Sequence, residues 1–120
     1  MRLTNSKEVR QEVERIFSLP NQYLMGIDHF ERMFLNLDGI LGYRLAGETT
    51  AAIAEQFKKE VRGDFKPARL FVYYVGNSLR MSEIQELDEL FCSQEHWKRG
   101  LILSDLPLGR LTVYAFYRNL

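Results

Sequence analysis

A chain of 120 residues with 46% hydrophobic and 27% charged side chains has the size and composition of one ordinary folded domain, which excludes a disordered or fibrous class. Its 16 basic and 16 acidic residues cancel, so no global field draws nucleic acid or an anionic membrane, and a charge-driven contact must come from a local patch. Apolar runs stay far below the ~18 residues of a bilayer span, and a single cysteine behind a polar N-terminal segment sets the expectation of a cytoplasmic protein without disulfides.

In chain order, Asn5 with Glu8 three positions later is an N-cap signal. Val9, Val13, Ile16 and Phe17 then fall on one helical face, opposite Lys7, Arg10, Gln11, Glu14 and Arg15. Leu19-Pro20 ends this helix. Tyr23, Ile27, Phe30, Phe34 and Leu37 repeat at helical spacing and predict a second helix, stopped by Asp38-Gly39; with Gly26 inside it, a shorter version starting near residue 29 is the alternative. Residues 40 to 46, between two glycines, read as a short strand or a packed loop. Thr49 or Thr50 opens a third helix that turns Ile53, Phe57 and Val61 inward and ends at Gly63.

The run Arg69 to Asn77 is the strongest strand signal in the chain, β-branched and aromatic throughout and closed by Gly76-Asn77. Ser82-Glu83-Ile84-Gln85 has the form of a capping box and predicts a fourth helix burying Ile84, Leu87, Leu90 and Phe91. Leu101 to Leu103 and Leu111 to Tyr117 then read as an antiparallel hairpin, with the six residues Ser104 to Gly109 as its loop. The expected fold is α+β: one domain over residues 1–120, with about four helices, two of them N-terminal, on a small mixed or antiparallel sheet of about three or four strands.

Alternation sorts the strand aromatics. Leu70, Val72 and Tyr74 with Leu111, Val113, Ala115 and Tyr117 form a face suited to a helix layer; Phe71, Tyr73 and Val75 with Thr112, Tyr114 and Phe116 form a more aromatic one. That second face needs a cover: the N-terminal helices, a second subunit, or single-stranded nucleic acid, the last disfavoured by neutral net charge. Charge is also segregated. Lys58, Lys59, Arg62, Lys66 and Arg69 cluster before the strong strand, and Glu83, Glu86, Asp88, Glu89 and Glu95 follow it.

Motifs for chemistry are weak. Gly42 to Thr49 has the spacing of a phosphate-binding loop, but Glu48 stands where the lysine must meet phosphate. Arg62-Gly63-Asp64 spells an adhesion tripeptide, better explained as a helix C-cap. Cys92 and His96, four apart, are a candidate metal or thiol-imidazole pair lacking further ligands at motif spacing, and His29 beside Asp28 is a candidate base without a nucleophile partner.

No catalytic residue, metal ligand or cofactor is assigned. The leading expectation is a small regulatory or adaptor protein acting by protein contact, with contact residues expected at Phe71, Tyr73, Tyr114, Phe116, Glu83, Glu86, Glu89, Lys58, Lys59 and Arg62, and forming a homodimer through its sheet face or C-terminal strand. One alternative is a small-molecule sensor with an apolar pocket lined by Phe30, Met33, Phe34 and the strand tyrosines. The other is an enzyme built on His29 or on Cys92 and His96.

Overall fold

Asn5 caps the first helix as its spacing predicts: its side-chain oxygen accepts the Glu8 N–H at 2.9 Å, and its amide donates to the Glu8 carboxylate at 2.8 Å. In the computed structural model, which describes residues 1–19, the backbone of 23–25, and residues 34–35, 38–61, 65–94, 96–104 and 110–119, helix α1 then runs over Ser6–Phe17. It is followed by α2 over Thr50–Glu60 and α3 over Met81–Glu89. Thr49 caps α2, its hydroxyl oxygen accepting the Ala52 N–H at 3.1 Å. Arg80 occupies the cap of α3 instead of Ser82. Glu83 therefore takes the third helical position and its carboxylate reaches back to the Arg80 N–H at 3.0 Å.

The strands are β1 (Arg2–Leu3), β2 (Tyr23–Met25), β3 (Leu41–Gly47), β4 (Pro67–Gly76), β5 (Trp97–Leu103) and β6 (Leu111–Asn119). They form one sheet in the order β1-β3-β6-β4-β5-β2. The β4–β5 pair is parallel and every other pair antiparallel, so the sheet is mixed. The α+β expectation holds, with more strands and fewer helices than expected among the described residues.

One open alternative is decided and two expectations are corrected. Of the two readings of residues 40 to 46, the strand holds: β3 runs over Leu41–Gly47 and pairs along its whole length with β6. Tyr23–Met25, expected at the start of a second helix, pairs instead with Leu101–Leu103 of β5, and residues 34–35 are helical. The β5–β6 hairpin does not form: β4 lies between them. An apolar run buried on both faces is most stable with neighbours on both edges, and β4 gains β5 on one side and β6 on the other.

Helices cover both faces. On one, α2 and α3 pack Ile53, Ile84 and Leu87, joined by Phe91 just past α3, onto Tyr43, Leu45, Leu70, Val72, Tyr74, Val113 and Tyr117. On the other, α1 packs Val9, Val13 and Ile16 with Leu35 and Ile40 onto Phe71, Tyr73, Val75, Tyr114 and Phe116. Each fully buried large side chain contributes about 1.5–3 kcal/mol. The radius of gyration is 13.2 Å, against about 13.6 Å for a compact chain of this length. Gly39, at φ +84, turns the chain into β3. Gly42 lies under Leu3 and the Phe116 ring, each 3.1 Å from where a Cβ would sit.

Candidate interaction surface

The more aromatic sheet face is covered from within the chain. Phe71 is 7% exposed and Tyr73, Tyr114 and Phe116 are 0%. Phe17 of α1 meets Tyr73 edge-on at 5.9 Å between ring centroids, and Phe34 lies 4.9 Å from Phe71. The four residues expected on a partner surface therefore cannot reach another protein while α1 is in place. Phe34 also stands against Phe71 where the sensor reading needs an apolar pocket; Phe30 and Met33 lie outside the described residues. The C-terminal strand offers no open edge either, since β6 is flanked by β3 and β4.

Each helix layer is tied to the sheet by a tyrosine, a carboxylate and an arginine. On the α3 side, the Tyr74 hydroxyl donates to Asp88 Oδ1 at 2.7 Å, and Arg99 Nε lies 3.1 Å from the same oxygen. On the α1 side, the Tyr114 hydroxyl donates to Glu12 Oε2 at 2.8 Å, Arg44 donates to Glu12 Oε1 at 3.3 Å, and Arg15 stands 3.9 Å from Oε1. Both hydroxyls are held well above the ordinary tyrosine range, first by burial and then by the hydrogen bond to the carboxylate and its charge, with the arginines opposing. Neither carboxylate was a candidate from the sequence. Its signal is an acid on the apolar stripe: Glu12 falls between Val9 and Ile16, and Asp88 four after Ile84.

The charged helices lie side by side, with β3, β4 and β5 mutually parallel and both helices serving as crossovers between them. The Thr50 hydroxyl donates to the Glu86 carboxylate, and a groove of about 410 Å³ opens between Thr50, Ala51 and Ala54 of α2 and Glu86, Glu89 and Leu90. Glu86 and Glu89 are exposed along this groove. Glu83 is turned inward to Arg110 at 2.7 Å, and that bond holds its carboxyl below the usual range, assisted by the Arg80 N–H. The same bond raises the Arg110 guanidinium, which also donates to the Glu48 carbonyl at 3.2 Å.

Lys58 and Lys59 are exposed in the last turn of α2, where they suit the helix dipole. Thr50 is level with Glu86, so these lysines lie beyond the end of α3, at the end of the sheet where β4 and β5 begin. Lys66, Arg69, His96 and Lys98 belong to that same end, and Arg118 of β6 pairs across to Arg69. Two adjoining clefts open there, about 550 Å³ beside Lys66 and His96 and about 330 Å³ beside Arg69, His96 and Lys98. Exposed Glu86 and Glu89 thus lie beside the first turns of α2, and the exposed basic residues gather at and beyond its last turn. Arg62 lies outside the described residues.

The chemical candidates do not assemble. Helix α3 stops at Glu89, so Cys92 and His96 share no helical face; both are exposed, and the Cys92 thiol donates to the Glu89 carbonyl at 3.2 Å. Among the described residues no three His, Cys, Asp or Glu side chains gather as metal ligands. Gly42 to Gly47 is strand, with none of the backbone of a phosphate loop. His29 with Asp28, and Gly63 with Asp64, fall outside the described residues. No described helix is long and apolar enough to cross a membrane. Compared with protein-family models, curated proteins and solved structures, the chain matches none.

Proposed function

We propose that this chain is a small regulatory or adaptor protein that acts by protein–protein contact through its charge-polarised α2–α3 side. The observation that carries this reading is the separation of exposed Glu86 and Glu89, beside the first turns of α2, from exposed Lys58 and Lys59 in its last turn. Complementary patches of this kind steer encounter and fix register between proteins. A homodimer is one economical use of them. Two copies facing each other with their helices antiparallel set the acidic end of each against the basic end of the other, and the contact is self-complementary under a two-fold axis. The buried sheet face and the central β6 take no part in it.

Light scattering across a salt series, with two charge-reversed variants, tests the reading. The wild-type dimer weakens as salt screens the exposed charges. Glu86→Lys with Glu89→Lys, and separately Lys58→Glu with Lys59→Glu, each give monomers, and mixing the two variants restores association because their patches are again opposite in sign. A wild-type monomer whose captured partner is lost on reversal keeps protein contact and removes self-association. A monomer that captures the same partners before and after both reversals overturns the proposal.

A further inference from the structure

On the α1 side of the sheet, the residues facing outward from β6 step down in size along the ladder, from Phe116 to Tyr114 to Thr112. Gly42 pairs with Phe116, Arg44 with Tyr114, and Ala46 with Thr112. The first two pairs lie under α1 and its neighbours, with Tyr114 and Phe116 in the core. Beyond them, over the small Ala46–Thr112 pair, a cavity of about 240 Å³ remains, lined by Arg15, Arg44, Ala46 and Thr112. Its walls carry two guanidinium groups from different elements, α1 and β3, and no acid among the described residues.

Charge around the cavity is unbalanced. Both arginines share one carboxylate oxygen, Oε1 of Glu12, at 3.3 and 3.9 Å, while its Oε2 is taken by the Tyr114 hydroxyl. Glu12 is only 12% exposed and the single acid paired with either arginine among the described residues. Among the described residues one positive charge is thus left over beside a cavity. The Glu12–Tyr114 bond also fixes where Arg44 sits, so one wall is preorganised. Guanidinium groups present paired N–H donors that match the oxygens of phosphate and carboxylate. At about 240 Å³, the space is smaller than the roughly 300–1,000 Å³ of pockets for drug-sized ligands. It suits a single oxyanion group.

We infer that the cavity between Arg15 and Arg44 is a binding site for a small oxyanion, a phosphate or carboxylate group held by both guanidiniums over Ala46 and Thr112. The site is on the opposite face of the sheet from the α2–α3 surface and does not depend on the proposal made for that surface.

Titration of the full chain with inorganic phosphate and, in a separate arm, with succinate tests this by NMR, following the amides of residues 44 to 46 and 112. Saturable shifts confined to that neighbourhood are expected in at least one arm, and which arm responds assigns the group. Arg15→Gln and Arg44→Gln each weaken binding about tenfold or more, as the loss of a charge-assisted bond requires. Ala46→Leu, at an exposed position, fills the cavity while keeping every charge, and is expected to abolish binding with the remaining spectrum unchanged. Absence of saturation by either anion up to about 10 mM, or Ala46→Leu binding like the wild type, which marks an adventitious ion only, overturns the inference.

Discussion

Tyr74 and Tyr114 belong to adjacent central strands and face opposite sides of the sheet, each ending on a helix carboxylate. Their hydroxyls are raised in the folded chain, so folding favours the protonated form. Their contribution is intact below the ordinary tyrosine value near 10. It declines as pH rises from there toward the folded values. Above pH 10 each tyrosine should therefore steepen the loss of stability, by at most about 1.4 kcal/mol per pH unit. Urea denaturation at a series of alkaline pH values reads this slope, and Tyr114→Phe should reduce it. At neutral pH the same substitution leaves the largely buried Glu12 one donor short and should cost about 1–3 kcal/mol, seen as a lower midpoint at unchanged m-value. A variant as stable as the wild type, with an unaltered alkaline slope, would show that the bond to Glu12 does not secure α1.

At the scale of the elements, β3 shows how an edge is closed without another strand. Strand β1 pairs only with Gly42 and Tyr43, and the Met1 carbonyl accepts the Arg44 N–H. The next outward-facing backbone groups, those of Ala46, are both met by Gln56 of α2: its amide donates to the Ala46 carbonyl and its oxygen accepts the Ala46 N–H at 3.1 Å. Gln56→Ala should cost about 1 kcal/mol and open a template for intermolecular pairing; faster aggregation on mild heating would register it, and Gln56→Glu, which keeps the acceptor alone, should fall between. Elements of this kind differ in how far a sequence discloses them. Caps at Asn5 and Thr49, the two-sided pattern of β4 and the strand aromatics are local signals and were legible. Strand β2 was not, since three residues within a helical repeat become a strand only when β5 supplies the partner. Glu12, Asp88, Arg44 and Arg99 were missed for a related reason: each gains meaning from a residue far away in the chain.

The whole molecule is closed by its last strand. Leu41 of β3 pairs with Tyr117, and Gly76 of β4 with Leu111, so β6 enters between strands made much earlier in the chain. It supplies Leu111, Val113, Ala115 and Tyr117 to one core and Tyr114 and Phe116 to the other. Without it, β3 keeps only β1 as a strand neighbour, both cores lose aromatic side chains, and the Glu12–Tyr114 tie is gone. Insertion of such a distant strand carries loop-closure entropy that must be met before the ladder forms, which places folding in the slow range of milliseconds to seconds typical of non-local topologies. A chain ending at residue 110 should therefore lack a cooperative unfolding transition by circular dichroism. A peptide of residues 110 to 120 added in trans should restore one, with an apparent midpoint that rises with peptide concentration because binding is linked to folding. Cooperative unfolding of the shortened chain by itself would mean that β3 and β4 find another pairing, and that β6 is an addition to the core instead of its keystone.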